Sequence, residues 1–239
     1  MFSGRIALKR GIKDEGEKPF WISYADLMTA LMMLFLVTMS VALLAVTKTV
    51  SESERKKALR EQEIVKLLDK VEAAAKEHGV TVDRNRNVID FGELARFDTN
   101  SHKVMPEQEK LLRVFVPRVL AVARDELGKK WLKRIVVEGF ADQRGSYLLN
   151  LNLSMQRSQR VLCVLLAPPF PGERAMDRSE LEQIRELFLV GGYSFNSAKA
   201  SLDASRRIEL RLEFYEVDEE HPTTEGIRRG DFGKCALES

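Results

Sequence analysis

The residues best suited to bind a ligand lie between Gly139 and Arg157, where a predicted strand leads into a glycine-containing turn and then into a predicted helix. Asp142 follows the strand, and Asn150, Ser154 and Arg157 recur at positions i, i+4 and i+7 on one helical face. The turn can therefore bring the Asp142 carboxylate and the Arg157 guanidinium to one pocket. Such a pair suits a zwitterion, because Asp accepts from an ammonium and Arg donates to a carboxylate. A structural Asp-Arg pair that caps the turn is the alternative.

Asp26 is a second candidate, because it lies at the start of a long apolar stretch. Residues 27–46 carry no charge, and a helix of that length spans the roughly 30 Å hydrocarbon core of a bilayer. We expect one uncleaved transmembrane helix in residues 20–46, with a cleaved signal peptide as the alternative. Inserting an acidic side chain into a membrane at this depth costs free energy. Asp26 either reaches the interface beside Trp21 and Tyr24, the aromatic residues typical of that depth, or it carries protons.

The elements that must position Asp142 and Arg157 alternate between strand and helix patterns. The predicted strands are 80–82, 88–91, 132–140, 188–193 and 206–215, and the predicted helices are 106–127, 147–166 and 181–187. This order over about 140 residues predicts an α/β (α+β) fold, a compact sandwich in which helices cover one sheet. Apolar Leu153, Val161 and Val164 on helix 147–166 are expected to make its core contacts, so we expect folding not to require Arg157.

Residues 51–78 predict a separate stalk helix between the membrane segment and this domain. Ser51 and Glu54 have capping-box spacing, and Gly79 follows the last turn. Four apolar residues recur at spacings of four, three and four: Ile64, Leu68, Val71 and Ala75. This seam fits two arrangements equally well: the helix packs on its own domain, or it makes a short contact between two copies of the chain.

The composition and the remaining polar residues favour no other class of function. Lys and Arg total 38 against 36 Asp and Glu, a formal net charge of +2, so we expect no direct binding of nucleic acid. The three His residues are scattered without metal-ligand spacing, and no phosphate-binding loop is present in the sequence. We therefore expect no catalytic residue, no metal site and no enzymatic activity.

The segment WISYADLMT at 21–29 resembles the single membrane helix of the B subunits of ion-driven stators, the family of flagellar MotB. The resemblance implies that Asp26 carries the transported ion, H⁺ or alternatively Na⁺, and that no other cofactor is needed. It also implies a homodimer inside a ring, expected to be a pentamer, of A-type subunits that cross the membrane several times.

Three segments resemble the OmpA-like peptidoglycan-binding domain. They are VEGFADQRG at 137–145, NLNLSMQR at 150–157 and SRRIE at 205–209. The family pattern is a Gly-His-Thr-Asp-x-x-Gly turn, then Asn-x-x-Leu-Ser-x-x-Arg, then Asn-Arg-Arg-Val-Glu. The resemblance implies that Asp142 and Arg157 hold the diaminopimelate group of a peptidoglycan stem peptide, with Asn150 and Arg207 as supports. Phe-Ala replaces His-Thr before Asp142, so the lesser contacts of the site differ.

Wall binding implies a single-pass protein of the bacterial inner membrane, with a cytoplasmic N-terminus and a periplasmic C-terminal domain. The expected segments are a cytoplasmic 1–19, a membrane helix 20–46, a stalk 47–79, an OmpA-like domain 80–216 and a charged tail 217–239. Lys and Arg flank both ends of the membrane segment, so their distribution does not set the orientation. An oxidising periplasm permits a disulfide between Cys163 and Cys235, although Cys163 also suits an apolar core.

Taken together, the intramembrane acid, the short linker and the tail resemble the B subunits of Zorya antiphage-defence motors. The resemblance implies a proton-driven motor that is anchored to the wall and works with cytosolic defence effectors. A flagellar or gliding-type torque stator is one alternative. A passive tether between membrane and wall is another, but a tether gains nothing from Asp26.

Overall fold

The computed structural model describes residues 20–222 and 232–237, and it describes side chains from Tyr24 onward. The expected cytoplasmic segment 1–19, the Trp21 side chain and much of the tail lie outside the described residues. The chain divides into two compact units, Met1–Arg55 and Lys56–Ser239.

The first unit contains the N-terminal part of helix α1, which runs from Phe20 to Lys76. Within the part of the chain that the structure describes, this is the one helix apolar and long enough to cross a membrane. The expected separate helix start at Ser51 is wrong, because no Pro or Gly interrupts the sequence between the two predicted helices. Hydroxyl groups in this region are bonded within the helix, as Thr47 and Thr49 each donate to a carbonyl oxygen one turn earlier.

The C-terminal part of α1 belongs to the core of the second unit. Ile64, Leu68, Val71 and Ala75 are all buried in one hydrophobic cluster with the residues of the sheet. The apolar seam therefore packs on its own domain and is not available for a contact between two copies. The domain starts earlier than residue 80 for the same reason, since its packing includes α1 from Ile64 onward.

The second unit is a mixed α/β domain, as the alternating pattern predicts. Its elements after α1 are β1 Thr81–Asp83, β2 Val88–Asp90, a 3-10 turn Gly92–Ala95, α2 Pro106–Arg124, α3 Glu126–Trp131, β3 Leu132–Gly139, α4 Tyr147–Leu166, α5 Arg178–Leu187, β4 Phe188–Gly192, α6 Leu202–Ser205 and β5 Ile208–Phe214. The strands form one sheet in the order β1-β2-β5-β3-β4, with β3 parallel to β4 and the other neighbours antiparallel.

The helix expected at 106–127 is in fact two helices. Asp125 ends α2 and caps α3, because its side chain accepts a 2.7 Å hydrogen bond from the Gly128 backbone N–H. Pro117 remains inside α2. The apolar face of α2 includes the fully buried Phe115 and Leu120, which join the core.

Helix α4 lies directly against the ends of β3 and β4, and two glycines make this approach possible. A Cβ atom at Gly139 would lie 1.9 Å from the Ser154 carbonyl oxygen, and one at Gly192 would lie 2.8 Å from the Met155 nitrogen. The Ser154 hydroxyl also accepts a 3.0 Å hydrogen bond from the Ser194 N–H. This close packing places the next turn of α4, which carries Arg157, beside the end of β3.

A disulfide joins Cys163 of α4 to Cys235 in the tail, 72 residues later. Residues 232–236 line a pocket together with the C-terminal half of α4, so this part of the tail lies against the domain. Nearer to β5, the ring of His221 stacks on that of Tyr215, with centroids 4.0 Å apart.

Candidate functional site

A pocket of about 220 Å³ opens where β3 ends and α4 begins. Asp142, Asn150 and Arg157 line it, so the structure brings together three of the four residues expected to bind the wall. Arg144 and Arg206 line it as well. Three guanidinium groups and one carboxylate therefore line the pocket, which suits a ligand that presents an anionic group to it.

The Asp142 carboxylate is buried and accepts four hydrogen bonds. Its Oδ1 accepts from the Arg144 backbone N–H at 3.0 Å and from Arg144 Nε at 3.3 Å. Its Oδ2 accepts from Arg144 Nη2 at 2.7 Å and from Arg206 Nη1 at 3.1 Å. The hydrogen bonds from Arg144, and that from Arg206, outweigh burial and lower the pKa of Asp142 to about 2. The group is therefore ionised at neutral pH.

Arg157 is the largest fully buried side chain of the domain. It donates to three backbone carbonyl oxygens, those of Phe140 at 2.7 Å, Ser101 at 2.9 Å and Asp98 at 3.1 Å. Its guanidinium also lies 5.0 Å from the centre of the Phe97 ring. Burial, assisted by Arg206, lowers the pKa of Arg157 to about 10, so it stays charged at neutral pH.

These contacts change the expected role of Arg157. Three of its five N–H groups tie α4 to the end of β3 and to the 98–101 loop, which leaves two for a ligand. The expectation that folding does not require Arg157 stays a prediction, and these contacts weigh against it. Removing Arg157 would leave the buried Phe140 carbonyl and the part-buried carbonyls of Ser101 and Asp98 without this donor. Asp142 and Arg157 line one pocket but hold different partners, so they do not form the simple capping pair considered from the sequence.

Asn150 supports the turn that presents Asp142. Its Nδ2 donates to the Arg144 carbonyl oxygen at 2.8 Å, and its side chain is buried. Gly145, at the centre of this turn, has a φ of +92°, which favours glycine. Asn150 therefore fixes the shape of the turn and also lines the pocket.

Arg207, the fourth expected site residue, is not beside Asp142. Its guanidinium lies 4.0 Å from the centre of the Phe140 ring and donates to Glu209 at 2.7 Å and to the Ser197 carbonyl oxygen at 3.2 Å. The neighbouring Arg206 reaches the carboxylate instead. The two side chains leave the backbone in different directions where the chain enters β5, so only one of them can face the pocket.

Arg144, Arg206 and Thr99 are among the pocket residues that the sequence did not predict. Arg144 lies two positions after Asp142, a spacing at which an Asp side chain often bonds to the following backbone N–H in a turn. That spacing was the available signal. Nothing local distinguishes Arg206 from Arg207, and Thr99 lies more than forty positions from the turn that it contacts.

Asp26 lies in the other unit, in the second turn of α1. Its side chain is exposed in the single chain, and its carbonyl oxygen accepts a 2.8 Å hydrogen bond from the Thr29 hydroxyl. The neighbouring Tyr24 is also exposed. An acid on an otherwise apolar helix surface needs other helices around it before it can lie within a membrane.

Solved structures share parts of this architecture at low similarity. A putative MotB-like protein from Desulfovibrio vulgaris is 15% identical with a TM-score of 0.42, and the match covers 70% of this chain and 99% of that one. The periplasmic domain of Helicobacter pylori MotB is 16% identical with a TM-score of 0.37, covering 55% and 78%. With TM-scores under 0.5, these two likenesses carry no argument about function.

The sequence comparisons are stronger. Residues 8–57 match the family described as the membrane MotB of the proton-channel complex MotA/MotB. The Zorya protein ZorB of Escherichia coli O139:H28 (strain E24377A / ETEC) is 48% identical over 217 residues, which cover 90% of this chain and 88% of that protein. Because this match covers nine tenths of the chain, the chain belongs to the family of the Zorya protein ZorB.

Proposed function

We propose that this chain is the wall-anchored B subunit of a proton-driven motor of the MotA/MotB type in the inner membrane, and that the motor acts in antiphage defence. The observation that carries the proposal is the pocket lined by the ionised Asp142 and the buried Arg157, in a chain that also has an acid on its apolar helix. The chain has a binding and ion-carrying role and no catalytic one.

The pocket supports anchoring to peptidoglycan. The diaminopimelate side chain ends in an ammonium and a carboxylate on one carbon, so it needs an acceptor and a donor close together. Asp142 offers the acceptor, and Arg157 offers its two remaining N–H groups as donors. Because both protein groups are buried, hydrogen bonds to them are screened little by water.

Asp26 supports the ion-carrying role. One helix cannot enclose an ion path, so the acid requires shielding by a second copy of this chain and by a ring of A-type subunits. A membrane potential supplies about 2.3 kcal/mol per elementary charge per 100 mV. Ions that pass Asp26 can therefore drive rotation of the surrounding ring in one direction. The transported ion in this proposal is H⁺, with Na⁺ as the alternative.

The proposed topology is single-pass, with the N-terminus in the cytoplasm and the domain in the periplasm. The disulfide between Cys163 and Cys235 supports this orientation, since such bonds persist in the periplasm and are rare in the cytosol. Cytosolic defence effectors would then respond to the part of the motor that faces the cytoplasm.

The experiment compares Asp26→Asn, Asp26→Glu and the wild type in cells that carry the full defence operon. Asn keeps the shape of the side chain but cannot exchange a proton, so we expect phage to plate as on cells without the operon. Asp26→Glu should retain part of the protection. Glu52→Gln, which removes an exposed carboxylate further along α1, is the matched control and should protect fully.

Membrane levels of each variant are measured by immunoblot to exclude loss of the protein. Full protection by Asp26→Asn at wild-type levels would replace the motor with a passive tether. Restored swimming in a cell that lacks its own stators, without any phage protection, would instead favour a flagellar or gliding-type torque stator.

A further inference from the structure

The hydrogen-bonding capacity of Asp142 is full in the free protein. An ionised carboxylate has about four acceptor positions. The backbone N–H and the side chain of Arg144 fill three of them, and Arg206 fills the fourth. A ligand ammonium can therefore bind Asp142 only if it displaces a donor that is already present.

Arg144 is the donor that is easiest to displace. Half of its side chain is exposed, at 51%, and its other side-chain contact is a 3.1 Å hydrogen bond to the Thr99 hydroxyl. Arg206 is only 11% exposed. It is also held by a 2.8 Å hydrogen bond to the Phe97 carbonyl oxygen and by an ion pair with Asp203.

We propose that Arg144 determines the ligand specificity of this pocket, because its guanidinium occupies the ammonium position in the free protein and moves off Asp142 when the ligand binds. The inference rests on the proposed binding of peptidoglycan. It adds a step to that binding, the exchange of one cation for another on the same carboxylate.

The exchange favours a group that carries both charges. When an ammonium takes the place of Arg144 on Asp142, the released guanidinium lies at the rim of the same pocket. A carboxylate next to that ammonium can pair with Arg144 and with the buried Arg157. A lysine-type side chain has the ammonium alone, so it would displace Arg144 without offering it a new partner.

The electrostatics of the free pocket agree with this arrangement. The pKa of Asp142 is lowered to about 2, and the side-chain hydrogen bond from Arg144 is the largest cause. The same pairing raises the pKa of the Arg144 guanidinium above its ordinary value. The group that replaces the Arg144 guanidinium on Asp142 must therefore carry a positive charge, because a neutral group would leave the ionised carboxylate without a cation.

The test measures binding of two soluble stem tripeptides to the full-length protein in detergent micelles by titration calorimetry. One tripeptide ends in diaminopimelate and the other in lysine. In the wild type we expect the diaminopimelate peptide to bind more tightly. In Arg144→Ala we expect the lysine peptide to bind about fivefold more tightly than it does to the wild type, since about one net hydrogen bond no longer has to be broken. Binding of the diaminopimelate peptide should change less, because it gains the vacated position but loses Arg144 as a carboxylate partner.

Arg134→Ala is the matched control. Arg134 pairs with Glu213 on β3 and β5 and is similarly exposed, so its loss removes one positive charge without changing the pocket. It should leave both affinities at their wild-type values. Circular dichroism establishes that both variants are folded.

An unchanged ratio of the two affinities in Arg144→Ala would overturn the inference, as would a parallel weakening of both peptides, which would make Arg144 an ordinary ligand contact. In either case the wild type still binds the diaminopimelate peptide, and the wall-binding proposal stands. Failure of the folded wild type to bind either peptide would remove the wall-binding proposal and this inference together.

Discussion

The guanidinium of Arg157 donates a 2.7 Å hydrogen bond to the carbonyl oxygen of Phe140, the residue that follows β3. Helix α4 is thereby tied to the segment that presents Asp142 two positions later. The residue proposed to bind the ligand carboxylate also holds together the pocket in which it lies. Structure and binding are therefore coupled at Arg157.

Arg157→Ala should destabilise the protein substantially. We expect its free energy of unfolding to fall by about 3 kcal/mol, because one buried and two part-buried carbonyl groups lose a charged donor and a cavity remains. Chemical denaturation of the full-length protein in detergent, followed by circular dichroism, measures the change. The free energy of unfolding of Arg144→Ala, which removes a half-exposed side chain, should fall less than that of Arg157→Ala. Equal stability of Arg157→Ala and wild type would show that the three carbonyl contacts contribute little.

Asp142→Asn should weaken binding to the wall while the domain remains folded. Hydrogen bonds to charged groups contribute roughly 1.5 to 3 kcal/mol, so we expect at least about a tenfold loss of affinity. Co-sedimentation of the full-length protein with purified sacculi measures it. Glu213→Gln, a change outside the pocket, is the control and should bind as the wild type does.

Combining Asp142→Asn with Arg157→Lys extends this measurement to both proposed ligand groups. If the two residues bind one ligand group, the second substitution should reduce the affinity for sacculi less in the double variant than it does alone. Additive losses would argue for two separate ligands, and sacculus binding at wild-type strength by the folded double variant would leave Asp142 and Arg157 as purely structural residues.

The pairing of Asp142 with Arg144 and Arg206 should make part of the stability depend on pH. The folded pKa of about 2 lies below the ordinary value of 3.8, so the folded state favours the ionised form. This contribution is fully present well above pH 3.8 and is lost as the pH falls toward 2. We expect Asp142→Asn to be less stable than the wild type at pH 5, and the difference to shrink steadily between pH 4 and pH 2. A difference independent of pH over this range would mean that the charge of Asp142 does not stabilise the fold.

The docking of α1 on the domain predicts a contrast between two residues on the same helix. Leu68 is 3% exposed and packs in the core, whereas Val65 is 49% exposed. Leu68→Ala should lower the free energy of unfolding by about 3 kcal/mol, in the range typical of buried leucines. Val65→Ala should change it by less than about 0.5 kcal/mol. A loss for Val65→Ala as large as that for Leu68→Ala in thermal denaturation would contradict this docking of α1 on the domain.

The same docking affects the choice of fragment for any solution experiment. A fragment that begins at residue 80 would lack Leu68 and Val71 and would expose the core surface that they cover. Full-length protein avoids this loss.

The amino-acid sequence by itself determined the features that depend on local periodicity and spacing. The uncharged run at 27–46 predicts the membrane helix, and the alternation of patterns predicts the mixed α/β fold. The interval between Asp142 and Arg157 predicts their shared pocket, because a short loop and about three turns of helix connect them. Such features need only the geometry of neighbouring residues along the chain.

Only the tertiary structure decided which residues complete the pocket and what Arg157 contacts. The carbonyl groups of Asp98 and Ser101 come from a loop more than fifty positions before Arg157. The choice of Arg206 over Arg207 depends on how the chain enters β5, and β5 lies between β2 and β3 in the sheet. The packing of α1 against the core likewise joins residues far apart in sequence. Contacts of this kind arise from strand order and helix docking, which no pattern within a few residues specifies, because the free energy that selects them belongs to the packed domain as a whole.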